Sequence, residues 1–468
     1  MTDAVLQGEG RAFDMEVAVI VVGGGGTGLC AALAAADAGA EVLVIERDRS
    51  LLGSTAMSTG LIPAAGTPEQ AAAGIEDSPE IFAADILKKT KGRTDPDIAL
   101  GIARESAATI AWMRDSHGVP LHLIDGFLYP GHSAMRMYGT PHRTGGELMA
   151  ALESAAEAAG IPILTEAVVE SLFADPDGTV RGVRLRRPDG SHDDIGCRAL
   201  VLACSGFGGA ADMVASLIPE MDGATYHGHP GNRGDAIRWG EALGAGMADL
   251  AAYQGHGGLA AGHGIPILWP LIMNGGFQVN LAGQRFSNEA SGYSEQAARV
   301  NAQPDRIAWS IFDEQRHQMM LAFEDYQDAL RAGAVVEAAD LAELAAATKL
   351  PLAALERTVA SVRRCVEGKE SDPFGRDFTG HSPLEPPYRA ARVTGALFHT
   401  QGGLCIDMAA RVLRRDGSPL PNLLAGGGAA RGISGDAAEG YMAGNGLLTA
   451  TTFGRLAGET AARIVSGV

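Results

Sequence analysis

Ala18-Val19-Ile20-Val21-Val22-Gly23-Gly24-Gly25-Gly26-Thr27-Gly28 runs through an alanine-rich stretch to Gly39 and then into Glu41-Val42-Leu43-Val44-Ile45-Glu46. The β-branched run 18–22 reads as a strand buried on both faces, as in a parallel sheet. Residues 28–39 read as a helix closed by Gly39, and 41–46 as a second strand. Together they make a βαβ unit. Gly23, Gly25 and Gly28 fit GxGxxG. The first permits the tight turn, the second lets backbone approach a pyrophosphate, and the third lets helix pack close to strand. The pyrophosphate then sits on the helix N-terminus, where free N–H groups and the dipole favour an anion. Glu46 ends the second strand, where an acid accepts hydrogen bonds from ribose hydroxyls.

Further along, Gly53-Ser54-Thr55-Ala56-Met57-Ser58-Thr59-Gly60 is a small-residue loop suited to close contact with a bulkier part of a cofactor. Ala199–Ala203 reads as a buried strand running into Ser205-Gly206-Phe207, and Asn422–Gly427 repeats the strand-then-glycine pattern. Residues 97–117 and 145–160 read as helices, and 168–174 with 180–187 as an antiparallel hairpin. Residues 305–370 read as mostly charged helix. The simplest organisation is a nucleotide domain in two parts, 1–246 and 391–468, interrupted by a largely helical insert at about 247–390. The expected class is α/β, a Rossmann-like domain interrupted by a smaller α+β capping domain.

The chain has 468 residues, with 37 Lys+Arg against 56 Asp+Glu, a net charge of −19. That balance disfavours nucleic acid and anionic membrane surfaces, both of which call for basic patches. Glycine, at 63 residues, is about twice its usual share. Residues 17–36 are uncharged, but their glycines divide them into strand, turn and helix, so no membrane span is expected. Asp3, Glu9, Arg11, Asp14 and Glu16 are the wrong flank for a secretory signal. Five scattered cysteines without CxxC fit a reduced, cytoplasmic setting. His227, His229 and His263 lack ligand-type spacing, so no metal site is expected.

Taken together, these motifs resemble the FAD-binding flavoproteins of the fumarate reductase/succinate dehydrogenase group. The resemblance also takes in Gly231-Asn232-Arg233-Gly234-Asp235, Gln284-Arg285-Phe286-Ser287-Asn288-Glu289, His399-Thr400-Gln401-Gly402-Gly403 and Gly444-Asn445-Gly446-Leu447. It implies FAD held by Gly23, Gly25, Gly28, Glu46, Ser54, Thr55, Gly60, Gly206, Asp235, His399, Gly427, Gly446 and Leu447. It also implies a capping domain that closes over the substrate. No histidine lies in 54–60, which implies non-covalent FAD. The family's acid after Ala-Gly, which meets the ribityl chain, is replaced here by Gly427.

Two further departures bear on substrate. Where fumarate reductases carry an arginine four residues after Glu289, this chain has Tyr293, and four residues before Asn445 it has Tyr441. Both tyrosines resemble those of the 3-ketosteroid dehydrogenase branch. The resemblance implies Tyr293 as the base for a proton next to a ketone, with Tyr441 and the Asn445 N–H binding the ketone oxygen. An enolate needs such fixed donors, and the flavin takes the hydride. A phenol, with an ordinary pKa near 10, needs help to act as a base; Tyr129 and Tyr138 are candidates. His256 and His399 stand equally open as cofactor-facing or structural. His132, His142, Arg136 and Arg143 read mainly as surface, and Arg431 as a possible ligand for a substrate carboxylate.

The expected activity is FAD-dependent desaturation of a cyclic ketone, a 3-ketosteroid or a smaller cyclohexanone-type ring, with an unknown electron acceptor. The compact chain adds weight to smaller rings. The alternatives are reduction of an activated C=C bond and a non-catalytic flavin-binding redox protein.

Overall fold

A computed structural model describes residues 4–467 of the chain. It divides into two units. The first comprises the residues up to Met213, Gly228–Tyr253 and those from His399 on; the second comprises Val214–His227 and Gln254–Phe398.

The first unit is built on a nine-stranded sheet. Met15–Val22 lies at its centre, parallel to both His192–Leu202 and Val42–Ile45. Pro419–Ala425 runs parallel to His192–Leu202 on its other side. The register aligns Val22 with Leu202 and Leu202 with Ala425. The three glycine-rich segments that follow these residues therefore leave the sheet side by side at its carboxyl edge, where open α/β sheets bind ligands. Val19, Ile20 and Val21 are fully buried; each such side chain contributes about 1.5–3 kcal/mol. Helices Gly26–Asp37, Pro96–Ala111 and Gly145–Ala158 occupy the stretches expected to be helical, and the hairpin is Val168–Ala174 with Val180–Arg186. The helix Asn445–Ser466 packs on Gly26–Asp37 through glycines. A Cβ on Gly454 would stand 2.5 Å from the Thr27 carbonyl oxygen, and one on Gly458 would overlap that of Ala31.

The second unit differs from the largely helical insert expected at 247–390. It is organised by a six-stranded sheet. Tyr388–Thr400 pairs antiparallel with Ile307–Asp313 and with Val335–Ala338, and Ile307–Asp313 pairs with Phe277–Val279. Ile307–Asp313 is buried at every position. Such a strand shows no alternation, and this one lies among charged helices, so periodicity alone misses it. The unit also takes in Val214–His227 because Thr225–Tyr226 pairs with Ala396 and Leu397. Among the described residues no helix is long and apolar enough to cross a membrane.

Candidate active site

The Gly23–Gly28 loop forms a cradle whose glycines differ in what they face. A Cβ on Gly28 would overlap the Gly23 carbonyl oxygen, so this glycine is dictated by the packing of helix on strand. A Cβ on Gly25 would meet only Thr55 Oγ1, at 4.0 Å, so this backbone borders open space. The loop is braced from two sides. Gly24 N–H donates to Glu46 Oε2 at 2.7 Å, and Gly26 N–H to Thr55 Oγ1 at 3.2 Å. Glu46 also accepts from Asp48 N–H at 2.9 Å through its other oxygen, which orients the carboxylate and leaves it further acceptor capacity.

Ser54 accepts from Asn232 Nδ2 at 2.8 Å, which ties the Gly53–Ala56 turn to the Gly231–Asp235 motif. Arg47 bonds the Gly231 carbonyl and lies 3.6 Å from Asp235. Burial raises the Asp235 carboxyl against the pull of Arg47, its main counter-charge. Gly60 sits where a Cβ would meet the Thr144 carbonyl at 2.7 Å. Gly206 abuts Thr400, whose Oγ1 accepts from Phe207 N–H at 3.3 Å. His399 Nδ1 lies 3.0 Å from Gln401 Nε2, and Gln401 Oε1 accepts from Ser434 at 3.0 Å. Burial pushes His399 down to about 4, so its ring is neutral.

Gly427 has φ +56, a backbone conformation that side chains disfavour, and a Cβ there would overlap the Thr27 hydroxyl. Thr27 thus leaves no room for a side chain at position 427. At the start of Asn445–Ser466 the Gly446 and Leu447 N–H groups have no intrahelical acceptor. The Asn445 side chain is fully buried with neither amide atom hydrogen-bonded. Its backbone N–H donates to the Met442 carbonyl at 3.2 Å. That bond occupies the N–H expected to face a ketone oxygen.

In the second unit, Tyr293 opens the helix Tyr293–Asn301 and is half-buried. Its ring lies 5.4 Å from that of His256 and 6.4 Å from that of Trp269. His256 stacks on Phe398 at 5.3 Å. His256 Nδ1 accepts from Gly258 N–H at 3.1 Å, which leaves the proton on Nε2. Burial holds this ring neutral, with a pKa of about 3. The Arg285–Glu289 motif anchors the helix start. Arg285 grips Glu289 at 2.9 and 2.8 Å, Arg376 joins at 3.1 Å, and Gln278 N–H donates to Glu289 at 3.1 Å. Arg285 also pairs with Asp372.

Several sequence-based expectations are corrected. Arg136 is fully buried, with Asp77 and Asp85 as its partners, and His132 is buried beside it; only His142 and Arg143 lie at the surface. Isolated from their partners in the sequence, these two gave no sign of burial. Arg431 pairs with Asp249 at 2.7 Å and Asp95 at 3.4 Å, which occupies the guanidinium offered to a substrate carboxylate. Tyr138 donates to Thr67 at 2.6 Å, and burial pushes it up to about 12. Burial also raises Tyr129. Tyr138 already gives its hydroxyl proton to Thr67, which leaves it none to donate to another phenol.

The sequence profile of the FAD binding domain family matches residues 18–447. The chain belongs to that family. It is 30% identical over 450 residues to a probable fumarate reductase, Ifc3, of Shewanella frigidimarina, covering 95% of this chain and 74% of that protein. The structure of the open conformation of a flavocytochrome c3 fumarate reductase superposes with TM-score 0.84 at 27% identity, over 97% of this chain and 79% of that one. The 3-ketosteroid-Δ4-(5α)-dehydrogenase of Rhodococcus jostii RHA1, in complex with 4-androstene-3,17-dione, gives TM-score 0.76 at 26% identity, over 97% of this chain and 98% of that one. This FAD-binding protein is a flavin-dependent oxidoreductase of the class that acts on C=C bonds. Its cradle fits the cofactor. The open space beside Gly25, the unpaired N–H groups at two helix starts and the unsatisfied Asn445 amide are what a dinucleotide would fill.

Proposed function

We propose that the protein desaturates a cyclic ketone between its α and β carbons, with Tyr293 as the base and Tyr441 donating to the ketone oxygen. The observation that carries this reading is the company Tyr293 keeps. It is bordered by the rings of His256 and Trp269, while Arg285 of the neighbouring motif is engaged with Glu289 and Asp372, and Arg376 with Glu289. A dicarboxylate calls for free guanidinium groups; an apolar ring bearing one carbonyl calls for aromatic walls and a hydroxyl. Gly23, Gly25, Gly28 and Glu46, with Ser54, Thr55, Gly60, Gly206, Asp235, His399, Gly427, Gly446 and Leu447, would hold or border FAD. When bound, FAD supplies the acceptor for a hydride from the β carbon.

The chain's own residues supply the rest. Tyr441, buried at 7% exposure, would donate its hydroxyl proton in a hydrogen bond to the developing enolate oxygen. The start of Asn445–Ser466 adds the positive end of a helix dipole. Tyr293 would take the α proton, and the pair left on the α carbon closes the C=C bond as hydride leaves the β carbon. The compactness of the chain does not favour small rings, since the Rhodococcus steroid dehydrogenase matches it over 98% of its own length.

A second reading, reduction of an activated C=C bond, draws support from the 30% identity to a probable fumarate reductase. Anaerobic mixing decides between them. Steroid ketones or substituted cyclohexanones should bleach the oxidised flavin without added reductant. A flavin untouched by saturated ketones, yet reoxidised by enones or fumarate after prior reduction, would favour the reductase.

A further inference from the structure

Arg136 has 0% exposure and four hydrogen-bonding contacts to side chains. Its Nε and Nη2 hold Asp77 at 2.9 and 2.8 Å. Its Nη1 reaches Asp85 at 2.6 Å and His132 Nδ1 at 3.3 Å. Asp85 also accepts from Ser133 N–H at 2.9 Å and Ser133 Oγ at 2.8 Å, and Phe82 covers the guanidinium with its ring centroid 4.5 Å from Cζ. His132 Nε2 lies 3.1 Å from the Ala443 carbonyl oxygen. A carbonyl only accepts, so the proton is on Nε2, and the bare Nδ1 is free to accept from Arg136. Burial, reinforced by the Arg136 charge, pushes His132 down to about 4 and keeps that tautomer neutral. Gly131 packs against the next residue back, since a Cβ there would stand 3.0 Å from Met442 Cγ.

Ala443 lies between Tyr441 and Asn445. A segment that aims a phenol must be held closely, because a small misplacement of a donor costs on the order of 100-fold in rate. A buried arginine with two carboxylates is an expensive feature to keep for stability alone. We propose that His132 is a positioning residue: clamped by the Arg136 ion pairs, it holds the Ala443 carbonyl and so aims the Tyr441–Asn445 segment. For catalysis this rests on the reading of Tyr441 as the carbonyl donor; for geometry it does not.

The test uses His132→Leu, which removes the donor, and His132→Gln, whose amide can restore it, both as FAD-loaded holoenzyme. The Cζ-carbon resonance of Tyr441, assigned with Tyr441→Phe in protein labelled at tyrosine Cζ, should move or broaden in His132→Leu and return in His132→Gln. With 4-androstene-3,17-dione and 4-methylcyclohexanone as probes, kcat for whichever bleaches the flavin should fall about 100-fold with KM little changed. His132→Leu and Tyr441→Phe together should be no slower than Tyr441→Phe alone. An unmoved Tyr441 resonance in folded, FAD-replete His132→Leu overturns the positioning role, whatever the substrate. If that resonance moves while Tyr441→Phe itself leaves turnover intact, the positioning stands and the ketone mechanism fails.

Discussion

The rings of His256 and Tyr293 lie 5.4 Å apart, tilted by 34°. His256 is neutral above about pH 3, so it brings no positive charge to the phenol beside it. A tyrosine base must lose its own proton before it can take one from the ketone. Flavin reduction by a ketone should therefore rise with pH, by about tenfold per unit until the phenol has titrated. Tyr293→Phe should abolish both this rise and α-proton exchange, measured by deuterium uptake into the ketone. A pH-independent rate from 6 to 9 would remove Tyr293 from the role of base.

Tyr441→Phe deletes one donor to the developing oxyanion and keeps the ring that packs at 7% exposure. Turnover should drop about 100- to 1,000-fold, with FAD content unchanged. Stopped-flow flavin reduction at wild-type speed in this variant would refute the donor assignment while leaving the flavoprotein assignment untouched.

Gly25→Val and Gly28→Ala should fail in different ways. At position 25 the added atoms enter open space reserved for the pyrophosphate, so the apoprotein should melt normally yet bind FAD poorly. At position 28 even one carbon overlaps the Gly23 carbonyl, so the protein should be unstable with or without FAD. Thermal melting and flavin titration of both apoproteins check this; equal melting temperatures would contradict it.

Gly427→Glu, which would restore the family's acid, should destabilise rather than improve cofactor binding, because the backbone sits at φ +56 against the Thr27 hydroxyl. Pairing it with Thr27→Ala should relieve the overlap but not the backbone strain, giving intermediate stability by denaturant titration.

Arg136→Met leaves two buried carboxylates without their cation, a loss of about 3–5 kcal/mol near neutral pH. Burial works against the Asp85 carboxylate, but Ser133 and Arg136 hold it below its usual range. A depressed carboxyl stabilises the fold above its unfolded pKa and loses that contribution as pH falls. The wild type therefore loses this contribution only below about pH 4, while the variant's desolvated carboxyls, without their cation, take up protons already above it. The gap in melting temperature should narrow from pH 7 to pH 4; a constant gap would mean that the carboxylates do not carry the effect.

The dinucleotide loop was legible in the sequence because its demands fall on the backbone. Gly28 is imposed by the Gly23 carbonyl a few residues away, and a local constraint leaves a local signature. The strand Ile307–Asp313 was not legible: its burial comes from Tyr388–Thr400 and Phe277–Val279, and no period records that. Arg136 and His132 were misread for the same reason. Asp77 and Asp85, and the Ala443 carbonyl, lie far along the chain, and a polar loop looks alike whether its partner is water or a buried acid. Arg431, read as a ligand for a substrate carboxylate, pairs instead with Asp249 and Asp95, both far from it along the chain.

Gly454 and Gly458 place the helix Asn445–Ser466 directly on the backbone of Thr27 and Ala31. During synthesis the glycine loop leaves the ribosome well before the helix that backs it. Until then Gly26–Asp37 presents a face of Cys30, Ala31 and Ala34, all buried in the finished protein, without the helix that covers it. The growing polypeptide must keep that face from sticking elsewhere until the helix arrives, so cofactor loading waits on a segment far along the chain.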